Sequence, residues 1–195
     1  MRTGIITVFF IFKEMSAGMK ILKVINNNVV SALDEKGQEV IVTGKGIGFQ
    51  KKAGDQLDTT VPKKVFYSPD ETFMGQFETL VKAMDYKNIH LADEIIQMAK
   101  NTLGKRLNKN ICITLTDHLN YAIERQKEGI SLQNALLWEI KKFYKPEYQV
   151  GLKALEMVKG QVGVELPEDE AGFIALHLVN AEMMQILARP RRCQG

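Results

Sequence analysis

The strongest constraint on the fold is a change of hydrophobic pattern near residue 68. From Lys20 to Tyr67 the apolar residues are largely β-branched and are separated by turn signals, which is typical of short strands. After Pro69 the apolar residues recur at intervals of three and four, which is the helical period. A block of strands followed by a block of helices predicts an α+β chain of two domains, not a series of β-α-β units.

The two blocks predict a small sheet and an all-α helical bundle. Residues 34–37, Asp-Glu-Lys-Gly, have the composition of a hairpin turn, since glycine accepts positive φ. Residues 44–48 predict a second bend. The helical stripes cover 73–81, 91–103, 114–125, 132–143, 147–162 and 167–187, with stops at Gly129, Pro146 and Gly163. The predicted domains are 19–67 and 68–187.

The composition describes an ordinary globular chain. The 195 residues are 45% apolar and 25% charged, which excludes disorder and collagen-like structure. The formal net charge of +3 is too small to indicate a nucleic acid or a membrane surface by itself. Its distribution is more informative, because residues 19–67 carry +3 and residues 68–187 carry −4. The strand domain is therefore the candidate for an anionic partner.

Cysteine and histidine usage argues against several kinds of site. The two cysteines, Cys112 and Cys193, are far apart and form no C-x-x-C motif, so the sequence predicts a reduced, cytoplasmic protein. The three histidines have no zinc-ligand spacing. We therefore expect no metal, no cofactor and no catalytic residue, and we do not expect an enzyme.

Both ends of the chain differ from its middle. The apolar run 5–12 is too short for a membrane-spanning helix, which needs about 20 residues, so we expect no membrane insertion. Residues 1–18 are predicted to be translated leader, because Lys13-Glu14 can be encoded by a ribosome-binding sequence shortly before Met19. A short signal peptide is the alternative. Residues 188–195, which include Arg-Pro-Arg-Arg, are predicted to be a linker or a truncated tail.

Two turns of the strand domain combine amides, glycines, cations and an aromatic ring. The asparagines 26–28 lie between two strands, where their amides can cap a turn or contact base edges. Residues 44–46, Gly-Lys-Gly, allow close backbone approach to a ligand, and residues 49–52, Phe-Gln-Lys-Lys, could stack on bases and neutralise phosphates. The composition by itself slightly favours ordinary hairpin turns, with Phe49 in the core and the lysines protecting a sheet edge, because each of these features is common.

Sequence resemblance favours the nucleic-acid interpretation. The segment KILKVINNNVV from Lys20, followed by VTGKGIGFQKKAGD from Val42, closely resembles the co-antiterminator RNA-binding (CAT) domain of the BglG/LicT/SacY family of bacterial transcription antiterminators. The resemblance starts at Met19. It implies a four-stranded antiparallel sheet that dimerises and binds an imperfect hairpin in nascent leader RNA, which prevents the overlapping terminator from forming.

The resemblance also implies which residues contact RNA. Family contacts carry over to Lys23, Asn28, Gly44 and Phe49. Lys45 stands where the family usually has arginine, and lysine keeps the charge but loses the planar guanidinium fork, so RNA affinity or sequence preference is expected to differ. The predicted RNA-binding residues are Lys23, Asn26, Asn28, Gly44, Lys45, Gly46, Phe49, Gln50 and Lys51.

Two histidines lie in apolar helical stripes. His118 lies between Leu115 and Leu119, and His177 follows Phe173 by four residues. Each could be a half-buried structural residue, or an exposed imidazole that accepts a phosphoryl group from another protein. The residues by themselves favour the structural interpretation.

A second resemblance reverses that preference. The segments LTDHLNYAI from Leu115, NALLWEI from Asn134 and LPEDEAGFIALHLVNAE from Leu166 resemble the first PTS regulation domain (PRD) of the same family. It implies that His118 and His177 are phosphorylated by the EIIB component of a sugar permease when the sugar is absent, which switches RNA binding off.

The family resemblance carries further expectations. Asp117 is expected to be a hydrogen-bond partner of His118, and His90 matches no family histidine. A full family member continues into a second PTS regulation domain, where HPr places an activating phosphoryl group. We therefore expect RNA binding that does not require HPr. The regulated operon is expected to serve a sugar, with β-glucosides as the expected class.

Two other functions fit part of the sequence. A DNA-binding activator with a PTS regulation domain is disfavoured, because residues 20–67 have strand patterning and no helix-turn-helix. A truncated regulatory protein that binds PTS partners without binding RNA is the main alternative.

Two features of the helical block are assigned structural roles. The acids 168–170 follow Pro167 at the predicted start of a helix, where the macrodipole and the free N–H groups favour carboxylates. Trp138, next to Leu136 and Leu137, is predicted to lie in the core.

Overall fold

The computed structural model describes residues 10–11, 18–57, 64–67 and 71–187. The chain divides between Tyr86 and Lys87 into two compact units. We call the first the sheet unit and the second the helical unit. The division confirms a strand-rich part followed by an all-α part, as the change of pattern predicts.

The sheet unit contains one antiparallel sheet. Its strands are β1 (Phe10–Ile11), β2 (Lys20–Asn26), β3 (Val29–Leu33), β4 (Glu39–Thr43) and β5 (Lys64–Phe66). The strand order is β1-β5-β4-β3-β2. The predicted four-stranded antiparallel sheet is confirmed as β2 to β5, and β1 adds two residues that pair antiparallel with β5. Because β1 belongs to the segment 1–18, whose remaining residues up to 17 lie outside the described ranges, the leader stays a prediction.

The predicted hairpin turn joins β3 to β4. Asp34 Oδ1 accepts hydrogen bonds from the N–H groups of Lys36 at 2.8 Å and Gln38 at 2.9 Å, and Gly37 has φ +72°. The aspartate therefore holds the turn through its side chain, while glycine takes the left-handed conformation that the turn requires.

Each face of the sheet is covered by a different segment. On one face, residues from β2, β3 and β4 pack against Ile47 and Leu57 of the chain that follows β4. On the opposite face, Phe66 of β5 packs against Phe77 of α1 (Glu71–Lys82), with ring centroids 4.8 Å apart. The helix α1 therefore contacts the sheet and lies in the sheet unit, whereas the domain boundary at 67–68 stays a prediction from the sequence.

The remaining helices form the helical unit. They are α2 (Tyr86–Leu103), α3 (Ile111–Lys127), α4 (Leu137–Phe143), α5 (Lys145–Val162) and α6 (Glu168–Leu187). Their buried residues follow the predicted stripes, for example Leu91, Ile95 and Ile96 in α2 and Leu115 and Leu119 in α3. Among the described helices, none is long and apolar enough to cross a membrane.

Helices α5 and α6 approach each other closely at Gly151. A Cβ atom there would lie 2.3 Å from the carbonyl oxygen of Ala171, so only glycine fits. Gly163 ends α5 with φ +75°, as its predicted stop position requires. Pro146 lies in the first turn of α5, where a missing N–H costs nothing.

The prediction that Trp138 lies in the core is wrong. Its side chain is 65% exposed, and Lys142 Nζ lies 4.7 Å from the centroid of its ring. The helix α4 is short and buries Ile140. Two positions along a helix rotate a side chain by about 200°, so burying Ile140 directs Trp138 to the surface.

Candidate RNA-binding surface and histidine site

The β2–β3 turn and the segment after β4 are joined by three hydrogen bonds. The Gly44 N–H donates to the Asn28 carbonyl at 2.9 Å, and the Gly48 N–H donates to the Asn27 carbonyl at 3.0 Å. The Gly46 N–H donates to Asn28 Oδ1 at 2.8 Å. The two predicted turns are therefore one structure at one end of the sheet. We call it the RNA loop (residues 26–28 and 44–51), after the RNA-binding residues that the sequence predicts there.

The asparagine side chains organise this loop. Asn26 Oδ1 accepts the Asn28 N–H at 2.8 Å, and Asn26 Nδ2 donates to the Val81 carbonyl of α1 at 3.4 Å. Asn28 Oδ1 is used by Gly46. The sequence leaves turn capping and base contact as alternatives, and the structure shows capping through both amide oxygens. The Nδ2 group of Asn28 is the part of that amide that could contact a base.

Gly48 allows the two halves of the loop to approach each other. A Cβ atom at this position would lie 2.3 Å from the Asn26 carbonyl oxygen, which belongs to the backbone and cannot yield easily. Ile47 beside it is buried in the core of the sheet unit. The loop is therefore anchored by an apolar residue and closed by a glycine.

The outer side of the loop carries the predicted ligand-binding groups. Phe49 is 58% exposed, so the alternative in which it lies in the core is wrong. Lys45, Gly46, Gln50 and Lys51 are also exposed. Gln50 has φ +54°, an uncommon conformation for a residue with a side chain. An exposed aromatic ring among cations and backbone N–H groups has the chemistry that single-stranded RNA requires.

Two predicted RNA-binding residues have different surroundings. Gly44 lies in the loop but is buried. Lys23 is exposed on β2, and its Nζ forms an ion pair and a hydrogen bond with Glu78 of α1, which together raise the pKa of the lysine. The structure therefore brings eight of the nine predicted residues into the RNA loop, while the ammonium group of Lys23 is held by α1.

The two predicted phosphorylation sites come together in the helical unit. His118 of α3 and His177 of α6 have ring centroids 4.9 Å apart, and the ring of Phe173 lies 5.8 Å from that of His118. The two imidazoles are separated by 59 positions in the sequence, so only the packing of α3 against α6 makes them neighbours.

A buried carboxylate lies beside this pair. Glu170 Oε2 is 2.9 Å from His118 Nε2, and Glu170 Oε1 accepts a hydrogen bond from a terminal nitrogen of the Arg125 guanidinium. The side chains of Glu170 and Arg125 are 1% and 7% exposed. Each charge of this buried pair compensates the other, so loss of either partner would leave a buried charge uncompensated. Glu170 Oε2 and His118 Nε2 are both buried and have no hydrogen-bond partner among the described residues.

Burial and charge lower the proton affinity of the second histidine. The pKa of His177 falls to about 4, first because burial penalises its charged form and then because His118 lies close to it, while Glu170 acts in the opposite direction. His177 is therefore neutral at neutral pH. The neutral ring keeps a lone pair, but protonation of the ring is unfavourable in this buried position.

Sequence reasoning misses Glu170 and Arg125 as members of the site. It attributes the acids 168–170 to the start of a helix, yet each has its own partner: Glu168 pairs with Lys141, Asp169 accepts the Asn134 N–H, and Glu170 contacts His118. Asp117, the expected partner of His118, is exposed. The missed signal is a seven-residue spacing, since Arg125 follows His118 and His177 follows Glu170 by two helical turns.

Two protein-family models match the chain along the same division. The CAT RNA binding domain matches residues 19–73, and the PRD domain matches residues 93–181. The crystal structure of GlcT CAT-PRDI has a TM-score of 0.69 to this chain at 37% sequence identity, and the match covers 84% of this chain and 98% of that one. The chain belongs to the BglG/LicT/SacY family of transcription antiterminators.

Two curated relatives of this chain also have names that describe antiterminators. The transcription antiterminator LicT of Bacillus subtilis is 51% identical over 165 residues, which is 85% of this chain and 60% of that protein. The β-glucoside operon antiterminator of Dickeya chrysanthemi is 42% identical over 165 residues, which is 85% of this chain and 58% of that protein. The chain thus spans about three fifths of the length of these relatives.

Proposed function

We propose that this chain is a transcription antiterminator that binds, as a dimer, a hairpin in nascent leader RNA and prevents the terminator from forming. Phosphorylation of His118 and His177 by the EIIB component of a sugar permease is proposed to switch this binding off. The name of the Dickeya chrysanthemi relative makes β-glucosides the proposed sugar class. The observation that carries the proposal is the RNA loop, in which the exposed Phe49 follows Lys45 and precedes Lys51 on a backbone closed by Gly48.

Charge and stacking together support RNA as the ligand. An aromatic side chain in the centre of a loop can stack on an unpaired base, and lysines around it neutralise phosphates. The hydrogen bonds that the side-chain oxygens of Asn26 and Asn28 accept hold the loop before any ligand binds. A preformed loop loses less conformational entropy on binding, so its contacts convert more fully into affinity.

A gel-shift assay tests the proposal. The full chain is titrated into an antiterminator hairpin from a family leader RNA, into the terminator form of the same RNA and into duplex DNA. We expect binding to the hairpin alone, with a stoichiometry of two chains per RNA by light scattering. Binding to neither RNA would instead support the regulatory protein that only contacts PTS partners, and preference for duplex DNA would support an activator.

Phosphorylation is expected to require the histidine pair. In a reconstituted reaction with labelled phosphoenolpyruvate, the general PTS proteins and EIIB, a variant with both His118→Ala and His177→Ala should incorporate no label, because both nucleophiles are gone. His90→Ala is the matched control and should be labelled like the unchanged chain. Label on the double variant, or its loss in the control, would contradict the assignment.

The contact between Lys23 and Glu78 predicts that α1 competes with RNA. A phosphate that binds Lys23 must displace the Glu78 carboxylate, so Glu78→Gln should strengthen hairpin binding by roughly two- to fivefold, the range expected for an exposed ion pair. The gain should shrink at high salt. The dissociation constant from filter binding measures the effect.

Glu71→Gln is the control for this prediction. Glu71 is exposed on the same helix, so its substitution removes the same charge at a different place. An equal gain for both variants would mean that total charge, not competition for Lys23, changes the affinity.

A further inference from the structure

One exposed face of α3 borders the histidine site. Five exposed residues recur along the helix and its C-cap at intervals of three and four, which places them on one face: Thr114, Asp117, Tyr121, Glu124 and Glu128. We call this the α3 face. The imidazole of His118 comes directly after Asp117 in the chain and three positions before Tyr121, so it lies at the border of this face.

The packing of His118 leaves its exposed part beside the α3 face. On the side of α6, the ring centroids of Phe173 and His177 lie 5.8 and 4.9 Å from that of His118. The His118 side chain is 16% exposed. A protein that delivers a phosphoryl group to this ring must contact the residues around its exposed part, and on α3 these are Asp117 and Tyr121.

Tyr121 has the properties of an interface anchor, meaning a side chain that inserts into a recess of the partner. Its side chain is 63% exposed, and Cζ of Arg125 lies 5.2 Å from the centroid of its ring. Arg125 is buried, so this contact holds the tyrosine ring against the helix. A ring that is held before binding loses little conformational entropy, and tyrosine is one of the residues that dominate the energy of protein interfaces.

The α3 face is acidic. It carries the carboxylates of Asp117, Glu124 and Glu128, and the nearest exposed cation on the helix is Lys127, whose Nζ lies 2.7 Å from Glu124 Oε1. The face therefore combines a net negative charge with an exposed aromatic ring. Charge complementarity favours a partner surface that is basic and that has an apolar recess for the ring.

We propose that the α3 face is the docking surface for the protein that phosphorylates the histidine pair, with Tyr121 as its anchor. The proposal rests on the proposed phosphorylation and adds where the donor binds and what its surface is: positively charged, around an apolar recess. Docking there brings the donor to the exposed part of His118. A second copy of the chain fits this face less well, because a symmetric contact would place carboxylates against carboxylates.

Two phosphoryl donors test the anchor in the full chain. One is phosphorylated EIIB, and the other is potassium phosphoramidate, a small donor that needs no docking surface. Tyr121→Ala should lower the second-order rate constant for transfer from EIIB by roughly 10- to 100-fold, the effect of removing an interface anchor. The rate with phosphoramidate should stay within about threefold of the unchanged chain, because a small donor does not contact the anchor.

Two results would overturn the anchor. An equal loss with both donors would mean that Tyr121 supports the histidine site itself through Arg125. An unchanged rate with EIIB would mean that the donor does not contact the ring.

Trp138→Ala is the matched control for the ring. Trp138 is 65% exposed, as prominent as Tyr121, but it lies on α4 and not on the α3 face. Its substitution should leave the rates with both donors unchanged. If Trp138→Ala slowed transfer from EIIB as much as Tyr121→Ala, the assignment of docking to the α3 face would be wrong.

A pair of charge reversals tests the acidic character of the face. Glu124 and Glu165 are both exposed and each pairs with a lysine, Lys127 and Lys159, but Glu165 lies outside the α3 face. Glu124→Lys should slow transfer from EIIB by roughly three- to tenfold at low salt, with a smaller effect at high salt, whereas Glu165→Lys should change it by no more than about twofold. Equal effects would mean that total charge, not this face, attracts the donor.

The docking proposal and the proposed function fail in different ways. If EIIB labels the unchanged chain and the Tyr121→Ala variant at the same rate, the regulation stands and the docking surface is wrong. If EIIB labels neither while phosphoramidate modifies the histidines, the proposed donor is wrong, and the docking surface with it. If Tyr121→Ala lowers the molar mass measured by light scattering, the face binds a second copy of the chain, and the docking proposal is wrong.

Discussion

Arg125→Ala is expected to lower the free energy of unfolding of the helical unit by about 3–5 kcal/mol, the range measured when one partner of a buried ion pair is removed. The carboxylate of Glu170 is 1% exposed and would lose its guanidinium partner without gaining water. Urea unfolding followed by far-UV circular dichroism measures the loss, because most helices of the described chain lie in this unit.

Lys127→Ala is the matched control. Lys127 also lies on α3 and also pairs with a carboxylate, that of Glu124 at 2.7 Å, but the two side chains are 49% and 56% exposed. Its substitution should change stability by no more than about 0.5 kcal/mol. If both variants lost the same amount, the buried position of the Arg125 pair would not matter.

A double variant separates charge from packing. Arg125→Met with Glu170→Leu removes both charges and keeps much of the buried volume, so it should be more stable than Arg125→Ala alone. A double variant as unstable as Arg125→Ala would show that the arginine stabilises the fold through packing of its stem.

Phe49→Ala is expected to weaken hairpin binding by about 1–3 kcal/mol, roughly 5- to 150-fold in the dissociation constant, because each base stacked on an aromatic ring contributes that much. The side chain is 58% exposed, so its loss should barely change the stability of the sheet unit. Filter binding at fixed salt measures the affinity, and thermal unfolding checks the fold.

Phe49→Trp is the control for stacking. Tryptophan keeps a flat aromatic ring at this exposed position, so binding should remain within about fivefold of the unchanged chain. If Phe49→Ala bound the hairpin as well as the unchanged chain, the ring would not contact RNA. If both variants lost affinity equally, the loop would require phenylalanine for its shape.

The formation of the RNA loop was largely predictable, because the residues that contact each other in it are not far apart along the chain. The asparagines 26–28 and the Gly-Lys-Gly bend lie on neighbouring strands, and a hairpin between those strands brings them together. What could not be predicted was that the amide oxygens are used inside the loop, so that Asn28 offers mainly its Nδ2 group to a ligand. Turn capping and base contact need the same residue type, and only the backbone geometry separates them.

The histidine site shows the opposite case. The period of a helix indicates that His118 and Arg125 share one face of α3, and that Glu170 and His177 share one face of α6. It does not indicate that these two faces meet. The contact of Arg125 with Glu170 joins residues 45 positions apart, and that of Lys23 with Glu78 joins residues 55 apart.

The sequence by itself determined the order of strands and helices, the hairpin turn at 34–37 and the family, because these follow from local pattern and from similarity. The tertiary structure decided that α1 packs on the sheet and pairs with Lys23, that Trp138 is exposed, and that a buried carboxylate contacts His118. The reason is physical: local preferences select an element and its apolar face, whereas the partner of that face is selected by the packing of the whole unit.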